Sequence, residues 1–295
     1  MSTAAARLKG FLLLCLVPSI VLYGFFVIVP IIWSAYYGFF DWSGIGTAKF
    51  TGWDNYIAVI QDPLFWRSFK NNIIIVCASV FGQVPIALVL SLLLLRNRWF
   101  YRVIRSAVFM PMVLSTVVIG LIWKYIYHPQ IGILNLLLNS VGLDSWAQPW
   151  LSDPDINMYA LSVPIIWANI GPYLIIFIAA IQNLPSEVEE AALLEGATGP
   201  KKLFYITLPM IWNTIKVTVI MCIAGSLKAF DQVFVMTHGG PAHTTELLAT
   251  YMYNSTFAVY RYGYGSAIST LIVVLSALLI LLSQILMNRN KLKES

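Results

Sequence analysis

Long stretches of this chain carry no formal charge. Gly10–Phe40, Asn71–Leu95 and Ile156–Ser186 run for 31, 25 and 31 residues without an Asp, Glu, Lys or Arg. Apolar residues fill them continuously, whereas the strands of a membrane barrel alternate over about ten residues. A helix needs about 20 mostly apolar residues to cross a bilayer. Six segments offer such a run: 11–34, 71–95, 106–127, 157–182, 211–236 and 264–287. The pattern predicts an all-α, polytopic transmembrane helix bundle of about six spans. The fifth span is the least regular, because Lys216 and Lys228 interrupt it and Asp231 sits near its end. Segment 131–139 is apolar but short and contains Gly132 and Asn135, so it predicts an interfacial helix.

Composition agrees with this reading. Of 295 residues 59% are hydrophobic and 11% charged, against roughly 45–50% and 25% in a soluble domain. A soluble enzyme, a disordered chain and a secreted disulfide scaffold are thereby excluded. Cys15, Cys77 and Cys222 are odd in number, far apart and inside apolar runs, so they read as packing residues. Arg7 and Lys9 before a long apolar stretch imitate a signal peptide, but the run exceeds the 7–15 residues of its apolar region. An uncleaved first span is expected.

The net charge of +5 would suggest nucleic acid in a soluble protein; here its distribution sets orientation, and no nucleic-acid partner is expected. With the N-terminus inside, cytoplasmic segments hold Arg7, Lys9, Arg96, Arg98, Arg102, Arg105, Lys201, Lys202, Arg289, Lys291 and Lys293, eleven of eighteen basic residues. The other side holds Lys49, Arg67, Lys70 and Arg261. Both termini are therefore expected in the cytoplasm. Residues 1–70 form the N-terminal tail, first helix and an outer loop, 71–287 the transmembrane core, and 288–295 a cytoplasmic tail. The outer loop 41–70, with Trp42, Trp53 and Trp66, is too short for a fold of its own and predicts interface anchors.

The cytoplasmic loop 183–210 carries the densest local code. Ser186 and Glu189 have capping-box spacing. Gly196 suits the left-handed position that closes a helix, and Pro200 the first turn of the next. Pro209 leads into the fifth span. Two short helices around a glycine turn are expected, either as a solvated acidic loop or as a docking element whose Ala191 and Ala192 let a partner approach closely.

Glu190-Ala191-Ala192, Gly196, Ile206 and Leu208-Pro209 match the EAA loop at every defining position. This resembles the membrane subunits of binding-protein-dependent ABC importers. Phe230-Asp231, Thr237-His238-Gly239-Gly240-Pro241 with Thr244-Thr245, and Gly263-Tyr264-Gly265-Ser266-Ala267 are similar to carbohydrate-uptake permeases related to the maltose and glycerol-3-phosphate importers. Asn135-Leu136-Leu137, Gly142-Leu143, Trp150-Leu151 and Ile166-Trp167 follow the same pattern, and the likeness covers about 11–287. Glu195 stands where many relatives have Asp, which conserves charge.

The resemblance implies the type I ABC importer permease fold in a bacterial or archaeal cytoplasmic membrane. It implies a second homologous permease subunit, two ATP-binding subunits and an extracellular solute-binding protein that delivers a sugar. Glu190, Ala191, Ala192, Gly196, Ile206, Leu208 and Pro209 would couple to the ATPases, which use ATP and Mg; this chain itself would need no cofactor. Gly239, Gly240 and Pro241 would face the binding protein, although a simple turn is the other reading.

Polar groups within spans are costly and so mark candidate function. Trp167, Asn169 and Tyr173 lie beside Gly171-Pro172, a dipeptide able to open the fourth span. Lys228 and Asp231 are three apart and so share a helical face, with Ser226 and Gln232 flanking them. Aromatic, amide, hydroxyl and carboxylate groups together suit a sugar, and the resemblance places solute contacts on these two spans. The competing readings are an intramembrane Lys228–Asp231 pair and Trp167 as packing or interface belt. Lys124 and Lys216 are expected to snorkel, and Gln83 beside Pro85 to cap a kink.

His128, His238 and His243 lack metal-like spacing, so no metal site is expected. Neither His-Glu-x-x-His, Gly-x-Ser-x-Gly nor a phosphate-binding loop occurs, which argues against an enzyme or a self-contained ATPase. The alternative is a self-sufficient secondary carrier or channel. It would call for more spans or a chain of intramembrane acids.

Overall fold

The computed structural model describes Leu14, residues 16–94 and residues 99–288. Cys15 and the basic residues Arg7, Lys9, Arg96, Arg98, Arg289, Lys291 and Lys293 lie outside the described residues. Helix dominates. Among the described residues five helices are long and apolar enough to cross a membrane, and a sixth span results if one sharply bent pair is counted together.

By contacts the chain divides into two compact units, Met1–Pro63 with Met252–Val274, and Leu64–Tyr251 with Leu275–Ser295. In the first unit, α1 (Leu16–Tyr37) is followed by a two-residue antiparallel pair, β1 (Phe40–Asp41) and β2 (Lys49–Phe50), and by α2 (Asp54–Gln61). Expected only as interface anchors, the aromatic residues here also pack on one another. Tyr37 stacks on Trp42 at 4.8 Å, Phe39 meets Trp53 edge-on at 4.9 Å, and Trp42 lies 5.6 Å from Tyr262. Asn55 Nδ2 donates to the carbonyls of Gly38 (3.0 Å) and Phe40 (2.9 Å), and Tyr264 Oη donates to Asp62 (3.0 Å). The short loop therefore gains an ordered core from a distant segment, 252–274, that sequence proximity did not reveal.

From Leu64 the second unit contains α3 (Pro63–Leu94), a helix that starts eight residues before the expected start of the span. Its first turns carry Arg67 and Lys70, which precede the apolar stretch and do not interrupt the helix. The expected third span is two helices, α4 (Trp99–Val113) and α5 (Thr116–Ile126), bent by 108°. Pro111 supplies no amide, and Ser115 adopts extended backbone (ψ 138°) immediately before α5, so the chain turns there. Next come the short α6 (Ile133–Ser140), with Ile133, Leu136 and Leu137 exposed as an interfacial helix requires, and α7 (Asn157–Gln182), which has the expected bounds.

A hairpin of α8 (Ser186–Leu194) and α9 (residues 200–210) follows. The fifth span divides into α10 (Trp212–Leu227) and α11 (Asp231–Met236). The chain closes with α12 (Leu248–Tyr253) and α13 (Tyr262–Asn288). In the second unit α7 supplies the core: Leu174, Phe177 and Ile178 pack with Val84, Ala87, Ile211 and Cys222, and Leu161 and Ile165 pack with Ile75 and Val233. Cys222 and Cys77 are free thiols, the first buried and the second exposed.

Candidate functional site

The fifth span breaks at Lys228-Ala229-Phe230. The amides of Lys228 and Ala229 turn back to the carbonyls of Gly225 and Ser226 (both 3.2 Å), and Phe230 adopts φ −139° and ψ −60° before α11 starts. Lys228 caps the end of α10 and Asp231 opens α11. They therefore do not share one continuous helical face, contrary to expectation, and no ion pair joins them as the competing reading required. Each charge instead sits at the helix end whose dipole favours it, cation at a C-terminus and anion at an N-terminus.

A cavity of about 170 Å³ opens at this break. Asn169 and Tyr173 of α7 line it, as do Ser226, Lys228, Phe230, Asp231 and Gln232 around the break. Gln83 of α3 and Thr116 of α5 complete it. Five of the six residues proposed from sequence are thus brought together. The sixth, Trp167, lies outside; its ring is 5.9 Å from Trp123, a packing contact.

Gln83 has a different role from the expected kink cap. Its Nε2 donates to the Ile165 carbonyl (3.2 Å) and Ser79 Oγ (3.3 Å), and its Oε1 accepts from the Cys222 thiol (3.4 Å). This one buried amide ties α3, α7 and α10 around the cavity. Asn169 Nδ2 donates to the same Ile165 carbonyl at 2.8 Å, which orients the amide while leaving the residue exposed. Nor does Gly171-Pro172 open α7, which is continuous. A methyl group on Gly171 would lie 3.3 Å from Phe109 and 3.5 Å from the Val108 carbonyl, so this glycine lets α4 approach. Lys216 is buried rather than extended to an interface, whereas Lys124 is exposed as expected.

The hairpin 183–210 has the expected glycine closure. Gly196 adopts φ +74°, the Ala197 amide reaches the Ala192 carbonyl (2.8 Å) and the Gly196 amide reaches Leu193 (3.1 Å). These are the paired bonds of a Schellman motif. Pro200 stands in the first turn of α9. The proposed cap differs: Pro185 takes the N-cap position with extended backbone (φ −59°, ψ 131°), which makes Ser186 the first helical residue. Glu190, Ala191 and Pro209 are exposed, Ile206 and Leu208 half-buried, and Ala192 buried. Large apolar side chains also face outward here, Leu194 at 90% and Tyr205 at 80% exposure, with Leu193 and Phe204 beside them.

At the far end of α11, residues 237–248 form a tightly held loop. Asn71 Nδ2 donates to the Thr244 and Glu246 carbonyls (both 2.9 Å), and Asn157 Nδ2 to Thr244 Oγ1 (2.7 Å). Asn72 Oδ1 accepts from the Leu248 amide (2.8 Å), and Thr237 and Thr245 share a hydroxyl bond (2.8 Å). Of the proposed docking residues, Gly239 is buried at φ +83° against Glu246, Gly240 is half-buried and Pro241 is exposed. Further back, Asn135 is buried: its amide donates to the Pro129 and Gln148 carbonyls and accepts from Trp150 Nε1 (2.7 Å). That clamp gives the Asn135 and Trp150 pattern a structural meaning.

No group of three or more His, Cys, Asp or Glu side chains able to hold a metal ion occurs among the described residues. Helices of membrane-crossing length, a polar cavity at a broken span and a hairpin with exposed apolar residues define a multi-pass membrane protein of the permease kind. Residues 83–291 match the family described as "Binding-protein-dependent transport system inner membrane component". The chain belongs to this family.

Among its relatives, "Probable ABC transporter permease protein YurN" of Bacillus subtilis is 35% identical over 91% of this chain and 93% of its own length. "Sulfoquinovosyl glycerol transport system permease protein SmoG" of Agrobacterium fabrum is 31% identical over 89% and 85%. The fold is that of a chain in a bacterial ABC transporter involved in the import of the acidic polysaccharide alginate. The match has a TM-score of 0.82 and 22% identity and covers 97% of this chain and 98% of the other.

Proposed function

We propose that this permease carries a sugar or oligosaccharide through the cavity at the broken fifth span, driven by ATP-hydrolysing subunits docked on the 183–210 hairpin. The observation that carries the reading is the cavity itself. Asn169, Tyr173, Ser226, Lys228 and Asp231 bring residues with amide, phenol, hydroxyl, ammonium and carboxylate groups to its lining. That is the mixed donor and acceptor set that a polyhydroxyl ring requires. The Agrobacterium relative, named for a sugar derivative, supports a solute of this class.

In this reading each of two homologous permease subunits seats one ATPase. The exposed Leu193, Leu194, Phe204 and Tyr205 supply an apolar contact beside Glu190, and Ala191 allows close approach. ATP and Mg belong to those partners. Both termini and the hairpin face the cytoplasm of a bacterial or archaeal cell, and Gly240 and Pro241 face an extracellular binding protein.

The test is uptake into vesicles holding the assembled importer, with ATP hydrolysis measured alongside. Gly196→Val forces a β-branched residue into left-handed backbone and distorts the hairpin. ATP-driven sugar uptake should fall more than about ten-fold, a loss of at least ~1.4 kcal/mol of coupling, while the binding protein still captures sugar. Unchanged uptake would reject the coupling role, and failure to accumulate any mono- or oligosaccharide would reject the substrate class.

A further inference from the structure

A second cavity, of about 340 Å³, lies beyond the first and was not anticipated from sequence. Its polar lining comes from Lys124 at the end of α5, His128, Ser152, and Thr237 and Gly240 beyond α11, and Tyr127, Leu151 and Met236 line it as well. The two cavities share their walls. Thr116 of α5 borders the first and Lys124 the second, eight residues apart, or about 12 Å along the helix. On α11, Asp231 and Gln232 border the first and Met236 the second. Leu151 and Ser152, which precede α7, line the second cavity, so it lies at the end of α7 opposite the 183–210 hairpin.

The charge of the two cavities differs. The first pairs one cation, Lys228, with one anion, Asp231. The second contains Lys124 and no carboxylate. Asp153, next along the chain, turns a carboxylate oxygen to the Asp155 amide (2.9 Å) within its own loop. His128 Nδ1 accepts from the amides of Gln130 (3.2 Å) and Ile131 (3.3 Å), which leaves its hydrogen on Nε2 as a donor. Lys124 is exposed and forms no ion pair among the described residues. An ammonium and an imidazole N–H beside a serine residue suit a ring bearing a negative group.

We propose that this second cavity is a waiting site for a saccharide carrying an acidic group, held by Lys124 and His128 before it reaches the cavity at the break. The proposal rests on the transport reading for its place in a sequence of steps, but not for the binding itself.

The test uses the full-length chain in lipid nanodiscs, with Ser152→Cys as reporter and the unsubstituted chain as background. An anionic methanethiosulfonate should modify that position about ten-fold faster than a cationic one of similar size. D-glucuronate at about four times its dissociation constant should slow modification about five-fold, whereas D-glucose at matched ionic strength should not. Adding Lys124→Gln should abolish the protection while leaving reaction with neutral N-ethylmaleimide unchanged, which shows an intact local fold. Adding Asp231→Ala, at the other cavity, should leave the protection in place.

No protection, equal protection by glucose, or protection that survives Lys124→Gln would overturn the waiting site. Protection in a chain whose assembled importer accumulates no sugar would sink the transport reading and leave this site standing. Sugar uptake without protection would do the reverse.

Discussion

The fourth and fifth spans invert the usual expectation about proline. Helix α7 contains Pro164 and Pro172 and runs unbroken for 26 residues, whereas the fifth span has no proline between Trp212 and Met236 and is interrupted at 228–230. A proline inside a helix removes one amide and strands the carbonyl four residues earlier. For Pro164 that carbonyl is Ala160, and Tyr127 Oη donates to it at 3.1 Å. A tertiary donor thus replaces the missing helical one, which in a membrane is the condition for tolerating the residue. In the fifth span, by contrast, short turns end one helix and charges flank the start of the next. Whether a span continues depends on where its backbone groups find partners, more than on its least helical residue.

That contrast can be broken experimentally. The largest effect is expected at the interruption. Asp231→Ala removes the carboxylate at the head of α11 and should lower sugar uptake about ten-fold, or ~1.4 kcal/mol, in initial rates at equal protein. Retained uptake across several sugars would make the break purely architectural. Next, Tyr127→Phe strands the Ala160 carbonyl and should destabilise the protein by about 1 kcal/mol, read as a lower unfolding midpoint in detergent. In a Pro164→Ala background the helix supplies its own amide, so the same substitution should cost less than about 0.5 kcal/mol. An unchanged penalty would show that the hydroxyl does not compensate for proline. The smallest effect is expected for Gly171→Ala, whose methyl group meets Phe109 at 3.3 Å. A cost below about 1 kcal/mol follows if the ring shifts slightly, and a larger one would mark that crossing as rigid.

Features coded locally were legible in the sequence. The charge-free runs located the spans, and the bounds of α7 matched to the residue. Gly196 and Pro200 announced the hairpin closure because each answers a backbone requirement within a few residues. Asn169, Tyr173, Ser226, Lys228 and Asp231 were found because polarity is rare inside a span. What sequence could not supply was tertiary. Thr116 reaches the cavity only because α4 and α5 meet at 108°, and nothing near Pro111 distinguishes such a turn from a tolerated kink. Gln83 was visible as a polar residue, yet its role depends on the Ile165 carbonyl, 82 positions away. Trp167 carried the right chemistry but turned towards Trp123. The Lys228–Asp231 spacing implied a shared face only on the assumption of an uninterrupted helix.

The loop at 237–248 bears on how a partner would meet this surface. Asn71 and Asn72 of α3 hold its backbone, Asn157 of α7 holds the Thr244 hydroxyl, and Arg67 adds a bond to the Ala242 carbonyl at 3.2 Å. A surface fixed in this way has little conformational freedom left to lose on contact. Association there would resemble the meeting of two preformed solids. Its heat-capacity change would track the apolar area covered, without the added signature of a segment that folds as it binds.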